Sequence, residues 1–292
     1  MIETLPIGDH FSLVLQRTLR VPNDGGTYPL PPGLGAFPIY PRLHIPRAVS
    51  ADFPEADYYV PMYQAEALWF RFELPRWLPH AVQIAAGGIN VLTGEKLGDR
   101  LTADAQNYLC CPAQPWLDGI RTAPGVVSQF VAAPLGLGMT LEEQMAPGSA
   151  EGGVTVRVIP PKPGRFEKPE ELEWSGAFYS RKKPQLGLGG GGRIAQKIYP
   201  DPHGLDTWDQ ARAREIRIQV LNSVDFAKLT GFAAPATPVT VDEYARHKLP
   251  WFRLYDEAEE DLGVTEALAR LKTVANDDRS LAWLPVLGIK NT

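Results

Sequence analysis

The sequence predicts a mainly β, α+β chain: an antiparallel β-sandwich or a distorted barrel, with long Pro/Gly loops and short C-terminal helices. Three observations predict it. About one residue in five is Gly or Pro, 27 and 28 of 292, against about 12% in average chains, which is too many for a helical bundle. Apolar residues recur with a period of two in six or more short segments, the signature of strands buried on one face. The hydrophobic fraction is 44%, with seven Trp, ten Tyr and eleven Phe, enough to bury a large core rather than leave the chain disordered.

Taken in order, Phe11, Leu13, Leu15, Leu19 and Val21 fall on one side of an extended segment, since side chains alternate faces along a strand. Asn23-Asp-Gly-Gly26 turns the chain. The stretch Tyr28-Pro-Leu-Pro-Pro-Gly-Leu-Gly35 excludes helix and central strand, because proline lacks the amide donor both require. With Leu30, Leu34 and Phe37 interleaved, it reads as a loop laid over its own core. Leu68, Phe70, Phe72 and Leu74 alternate with Trp69, Arg71 and Glu73 to give a strand with one apolar face. Residues 81–84, 88–92, 108–111, 126–132 and 154–159 repeat the strand signal. One helix interrupts them: Thr140-Leu-Glu-Glu143 has the spacing of a capping box, and Pro147-Gly148 ends it. Residues 160–185 read as a linker or a long crossing loop. The strand pattern resumes over 193–199 and 215–221. Helix starts at Thr240, Pro250 and Thr265 close the chain, and the acidic run 256–261 reads as a solvated helix face. The organisation expected is a β-rich core over 1–160 and a continuation of the sheet with a C-terminal helical segment over 161–292, packed as one unit.

Charge and motif content exclude several functions. The net charge of −5 gives no basic field for a phosphate backbone, so no nucleic-acid partner is expected. No apolar run approaches the ~20 residues that span a bilayer, and the first residues lack a secretory signal, so the expectation is a cytoplasmic protein with no membrane partner. Cys110 and Cys111 are adjacent and read as two reduced side chains on opposite faces. The histidines at 10, 44, 80, 203 and 247 lack the spacing of a metal site, and neither metal nor cofactor is expected. Gly-x-Ser-x-Gly is absent. Gly187-Leu-Gly-Gly-Gly-Gly192 contains Gly-x-Gly-x-x-Gly, but a strand pattern follows it where a dinucleotide site needs a helix. The run reads as a hairpin able to close over a surface, with Arg181, Lys182 and Lys183 upstream as a small anion site.

Carboxylates beside tryptophan are the remaining chemistry. Trp116 precedes Asp118, and Asp201, Asp206 and Asp209 surround Trp208. An indole face packs on sugar C–H groups while a carboxylate accepts hydroxyls, which fits a glycan or small-molecule ligand. The plainer reading makes Asp118 a turn cap, Glu143 a helix cap and the tryptophans core. The segments Met62–Trp69, Gln114–Ile120, Gln129–Ala132, Pro134–Gln144 and Ile198–Pro202 together resemble a family of uncharacterised bacterial and filamentous-fungal proteins. The resemblance spans most of the chain, implies a shared fold and carries no activity. It singles out Gln64, Glu66, Trp116, Asp118, Gln129, Glu143 and Gln144 as polar groups set among apolar ones.

The function expected is therefore a binding or assembly module. Gln64, Trp116, Asp118, Gln129, Gln144 and Arg193 are its ligand-facing residues. The alternative is a hydrolase of a sugar-like substrate using Asp118 with Glu142 or Glu143. A homo-oligomer built through apolar strands is a third expectation.

Overall fold

A computed structural model describes residues 1–51, 53–148, 151–168, 183–232 and 265–273. The helix starts expected at Thr240 and Pro250, the acidic run, Arg181 and Lys182 lie outside those residues. In chain order the strands are β1 (Leu5–Pro6), β2 (Ser12–Thr18), β3 (Thr27–Tyr28), β4 (Gly33–Ala36), β5 (Tyr40–Pro41), β6 (Tyr58–Pro61), β7 (Ala67–Glu73) and β8 (His80–Ala86). They continue as β9 (Ile89–Asn90), β10 (Leu109–Cys111), β11 (Trp116–Leu117), β12 (Gly119–Ala123), β13 (Val126–Pro134), β14 (Val154–Ile159), β15 (Lys183–Ala195) and β16 (Arg214–Asn222).

The main path runs β1-β2-β7-β13-β15-β16-β14-β8-β10 and does not close, so the fold is mainly β and sandwich-like, not a barrel. Every neighbour on that path is antiparallel. Two side pairings are parallel, β3 on β15 and β6 on β16, where loop-rich segments return along strands far away in sequence. The path bends around one core. Phe11, just before β2, meets Phe72 of β7 and His80 of β8 at ring-centroid distances of 5.9 and 5.8 Å. Leu13, Leu15, Leu68, Phe70, Phe72, Phe130, Val154, Val156 and Val158 all enter this core, as their period of two requires. Cys110 and Cys111 are unbridged and buried, and they pack into two different clusters. The Pro-rich stretch is loop only in part: its ends pair into the sheet as β3 on β15 and β4 on β2, while Leu30 between them packs against Trp69 and Trp116 and Phe37 enters the main core.

The glycine run departs from expectation. Gly187–Gly192 is not a hairpin; it is the middle of β15, paired to β13. None of Gly189, Gly190, Gly191 and Gly192 takes a positive φ. Ser128 pairs with Arg193 and Phe130 with Gly190, so Gln129 faces both Gly191 and Gly192 across a β-bulge. Space is the reason for glycine. A Cβ on Gly190 would stand 3.0 Å from Ser128 Cβ, one on Gly191 would overlap Val131 Cγ2, and one on Gly192 would overlap the Pro22 carbonyl. Close approach of a backbone is the other use of glycine in a strand besides a turn.

Among the described residues the short α-helices are α1 (Arg47–Ser50), α2 (Leu141–Met145), α3 (Ser223–Thr230) and α4 (Glu266–Ala269). The capping box is present at Thr140 and Glu143. α3 has no counterpart in the sequence reading. Its signals are Asn222, whose side chain accepts from Val224 and Asp225 amides, and Gly231 at φ 75°. α4 begins a strap, Thr265–Thr273, that crosses the sheet. Leu268 is fully buried in the main core, Thr265 Oγ1 donates to the Thr93 carbonyl (2.7 Å), and Gln144 exchanges two hydrogen bonds with Lys272 (3.0 and 2.7 Å).

Because Gly192 is blocked by backbone rather than by a movable side chain, Gly192→Ala is expected to destabilise by about 1–3 kcal/mol and to lower Tm by several degrees. Gly98→Ala, with nothing within 4 Å of the added carbon, serves as the control and leaves Tm unchanged; thermal denaturation followed by circular dichroism measures both.

Candidate functional site

The structure does not gather the sequence-predicted residues into one site. Gln129 is fully buried; its Nε2 donates to the Leu19 carbonyl (2.8 Å) and its Oε1 accepts from the Val21 amide (2.9 Å). Asp118 is 1% exposed. Its Oδ2 accepts from the Trp116 indole (3.0 Å), and its own amide donates to Gln196 Oε1 (2.9 Å). Gln144 ties α2 to the strap, Gln64 sits half-buried in the turn before β7, and Arg193 is exposed on β15. Glu66 is buried against Arg17, whose Nε and Nη2 reach its Oε1 at 3.0 and 2.6 Å. Gln129, Asp118, Gln144 and Glu66 thus tie chain segments together, and none of the six expected to face a ligand lines either of the cavities described below.

The expected hydrolytic carboxyls are also occupied or enclosed. Glu143 accepts from the amides of Gly136 (2.5 Å), Met139 (3.2 Å) and Thr140 (3.1 Å) and from Thr140 Oγ1 (2.9 Å). Burial alone would raise its pKa, but these bonds hold it below the ordinary value. Glu142 is fully buried against Gly87, where any side chain would overlap it. Burial pushes its carboxyl up to about 7, and the nearby Thr140 hydroxyl has its one proton on Glu143. Neither oxygen of Glu142 accepts a hydrogen bond. With Asp118 and Glu142 buried and Glu143 filled by donors, no acid and base from this set flank a water-accessible cleft.

A cleft does form at one end of the sheet. Four connections converge there: the turn 7–11 between β1 and β2, the turn 74–80 between β7 and β8, the loop 160–166 after β14, and residues 212–214 leading into β16. It encloses about 260 Å³. Gly8, at φ 76°, allows the first turn to lie against Arg214. The loop 160–166 is held by backbone bonds from Lys162 to Thr207 (2.8 Å) and from Asp209 to Pro160 (2.9 Å). Lys162 pairs with Asp206 at 2.5 Å, and Arg165 reaches the same carboxylate. Phe166 stands edge-on to His203 (5.2 Å), which stands edge-on to Trp208 (5.7 Å). That tryptophan is anchored through its indole to Asp201 (2.9 Å), which Tyr108 also reaches (2.5 Å). Burial would raise the Asp201 carboxyl, but the bonds from Tyr108, Trp208 and His203 keep it low and ionised.

No family model, curated protein or solved structure matches the chain. The chemistry of the cleft therefore stands on its lining. Its lining includes Arg212, Arg214 and Lys162, one carboxylate, Asp9, and the half-buried rings of Trp77 and Phe166. His10 lies 6.5 Å from Trp77 between ring centroids. His80 lines the cleft as well, and its Nδ1 lies 3.0 Å from the Leu78 carbonyl. Such a surface suits a small anion with an apolar part. A second cavity, of about 530 Å³, is lined by Glu55, Lys96, Asp99, Glu151, Arg157, Glu215 and Arg217 among others. Its charges are of both signs, and Arg157 already reaches Asp99 (3.4 Å) and Glu215 (3.8 Å). Among the described residues no three His, Cys, Asp or Glu are placed to hold a metal, and no helix is long and apolar enough to cross a membrane. Both thiols are pushed up by burial, away from the reactive thiolate. The cleft residues were missed because they are scattered from Asp9 to Arg214 with no local spacing.

Glu142 gives a signed prediction. Its folded pKa of about 7 lies above the ordinary 4.5, so the native state holds this proton where the unfolded chain releases it. Stability from this group is full below about 4.5 and is lost as pH rises through about 7, by on the order of 3 kcal/mol. Urea unfolding of Glu142→Gln across that window is expected to lack this decline, while the wild-type midpoint falls.

Proposed function

We propose that the protein is a binding module that holds a small organic anion in the cleft between residues 7–10, 77–80, 160–166 and 212–214. One observation carries the reading: Arg212 and Arg214 line the cleft and make no ion pair among the described residues, on a chain whose net charge is −5. Local positive charge on an acidic protein attracts an anion without attracting polyanions. A guanidinium also presents a planar set of donors that matches a carboxylate. Lys162 adds less, because Asp206 already balances it. The resemblance to uncharacterised proteins brings no activity to this reading.

Calorimetric titration with acetate, benzoate and inorganic phosphate tests it. At least one anion is expected to saturate a single site and to bind more weakly as salt is raised. Arg212→Ala/Arg214→Ala is expected to weaken that binding by about ten- to hundredfold, the worth of one or two charge-assisted hydrogen bonds, with Tm unchanged because both side chains are exposed. Absence of saturable binding by all three anions, or unaltered affinity in the double variant, refutes the reading.

A further inference from the structure

The cleft also carries information on which anion it takes. Its volume of about 260 Å³ falls just below the 300–1,000 Å³ of sites for drug-sized ligands, so it has room for one ring and its substituents. Trp77 and Phe166 are half-buried and line it, and aromatic walls favour a planar apolar body. Of the two arginines, Arg212 precedes β16 and Arg214 begins it, whereas His80 is the first residue of β8 and 5% exposed.

The tautomer of His80 follows from its neighbour. A carbonyl oxygen can only accept, so Nδ1, 3.0 Å from the Leu78 carbonyl, carries the proton. Burial, added to by His10 and opposed by the Leu78 bond, lowers the affinity of the ring for a second proton. Nε2 is then a bare acceptor. It makes no hydrogen bond among the described residues, and a ligand atom that fills it must be a donor. A carboxylate cannot donate, so the group on His80 differs from the group on the arginines.

We propose that the ligand is a single-ring aromatic acid bearing a hydroxyl, its carboxylate on Arg212 and Arg214 and its hydroxyl donating to His80 Nε2. This rests on the reading of the cleft as an anion site. His80 is then the specificity-determining residue, and Trp77 and Phe166 select the ring.

The test compares 4-hydroxybenzoate, benzoate, acetate and inorganic phosphate as calorimetric probes of the full chain. The hydroxylated acid is expected to bind about tenfold tighter than benzoate, the worth of one hydrogen bond, and benzoate tighter than acetate or phosphate. His80→Phe, which keeps a ring against Phe11, is expected to erase the advantage of the hydroxyl, so that 4-hydroxybenzoate and benzoate bind alike. A second readout needs no variant: the ¹⁵N resonance of His80 Nε2 should move with 4-hydroxybenzoate and not with benzoate. Equal binding of the two aromatic acids, with that resonance unmoved, overturns the hydroxyl assignment and leaves the anion site standing. Acetate or phosphate binding as tightly as benzoate overturns the ring. No binding by any of the four overturns both this inference and the reading beneath it.

Discussion

A chain with this much Gly and Pro must satisfy backbone groups that no neighbouring strand reaches, and buried side-chain amides meet that constraint. The buried Gln106, Gln114, Gln129 and Gln196, and the half-buried Gln144, each donate through Nε2 to a carbonyl and accept through Oε1 from an amide. Each thus imitates a peptide unit. Inside a protein an unmet donor or acceptor costs about 1–3 kcal/mol, so these partners help hold the irregular segments at 19–21 and 196–201 in place. Asn90 does the same for the turn at 92–93, with Oδ1 accepting from Leu92 (2.9 Å) and Nδ2 donating to the Asn107 carbonyl (2.7 Å).

The cleft inherits its shape from this bonding. Gln106 accepts from the Asp201 amide at 2.7 Å. Asp201 in turn holds Trp208, Trp208 faces His203, and His203 faces Phe166. One wall of the cleft is thereby fixed through four contacts to a glutamine buried beyond it. Sites positioned by rigid supporting residues hold ligands at lower ordering cost than sites on unsupported loops.

Much of the sheet was legible in the sequence, because period-two patterns such as Leu13/Leu15, Leu68/Phe70/Phe72 and Val154/Val156/Val158 state which face is buried. The capping box at Thr140 was legible for the same local reason. The glycine run was misread: a sequence says that glycine is needed but not whether positive φ or lack of room demands it, and here Pro22 and Val131 demand room. Polar residues among apolar ones were read as ligand contacts, yet Gln129 answers to backbone groups about a hundred residues away and the Asp118 carboxylate to the indole of Trp116. The cleft was illegible, since its charge comes from separate turns and the start of β16, which only the folding of the sheet brings together.

The strand order has a consequence for how the chain is made. β15 and β16 stand between β13 and β14 in the sheet, and Leu268 enters the core with them. A nascent chain that has emerged as far as Ile159 therefore holds two separated half-sheets, β1-β2-β7-β13 and β14-β8-β10, each with an inner edge that awaits its neighbour. Such edges are open to pairing with other chains until residues beyond 183 arrive. Synthesis from the N-terminus thus delivers the strands that join the two halves after the strands on either side of them, and until then the inner edges have no partner.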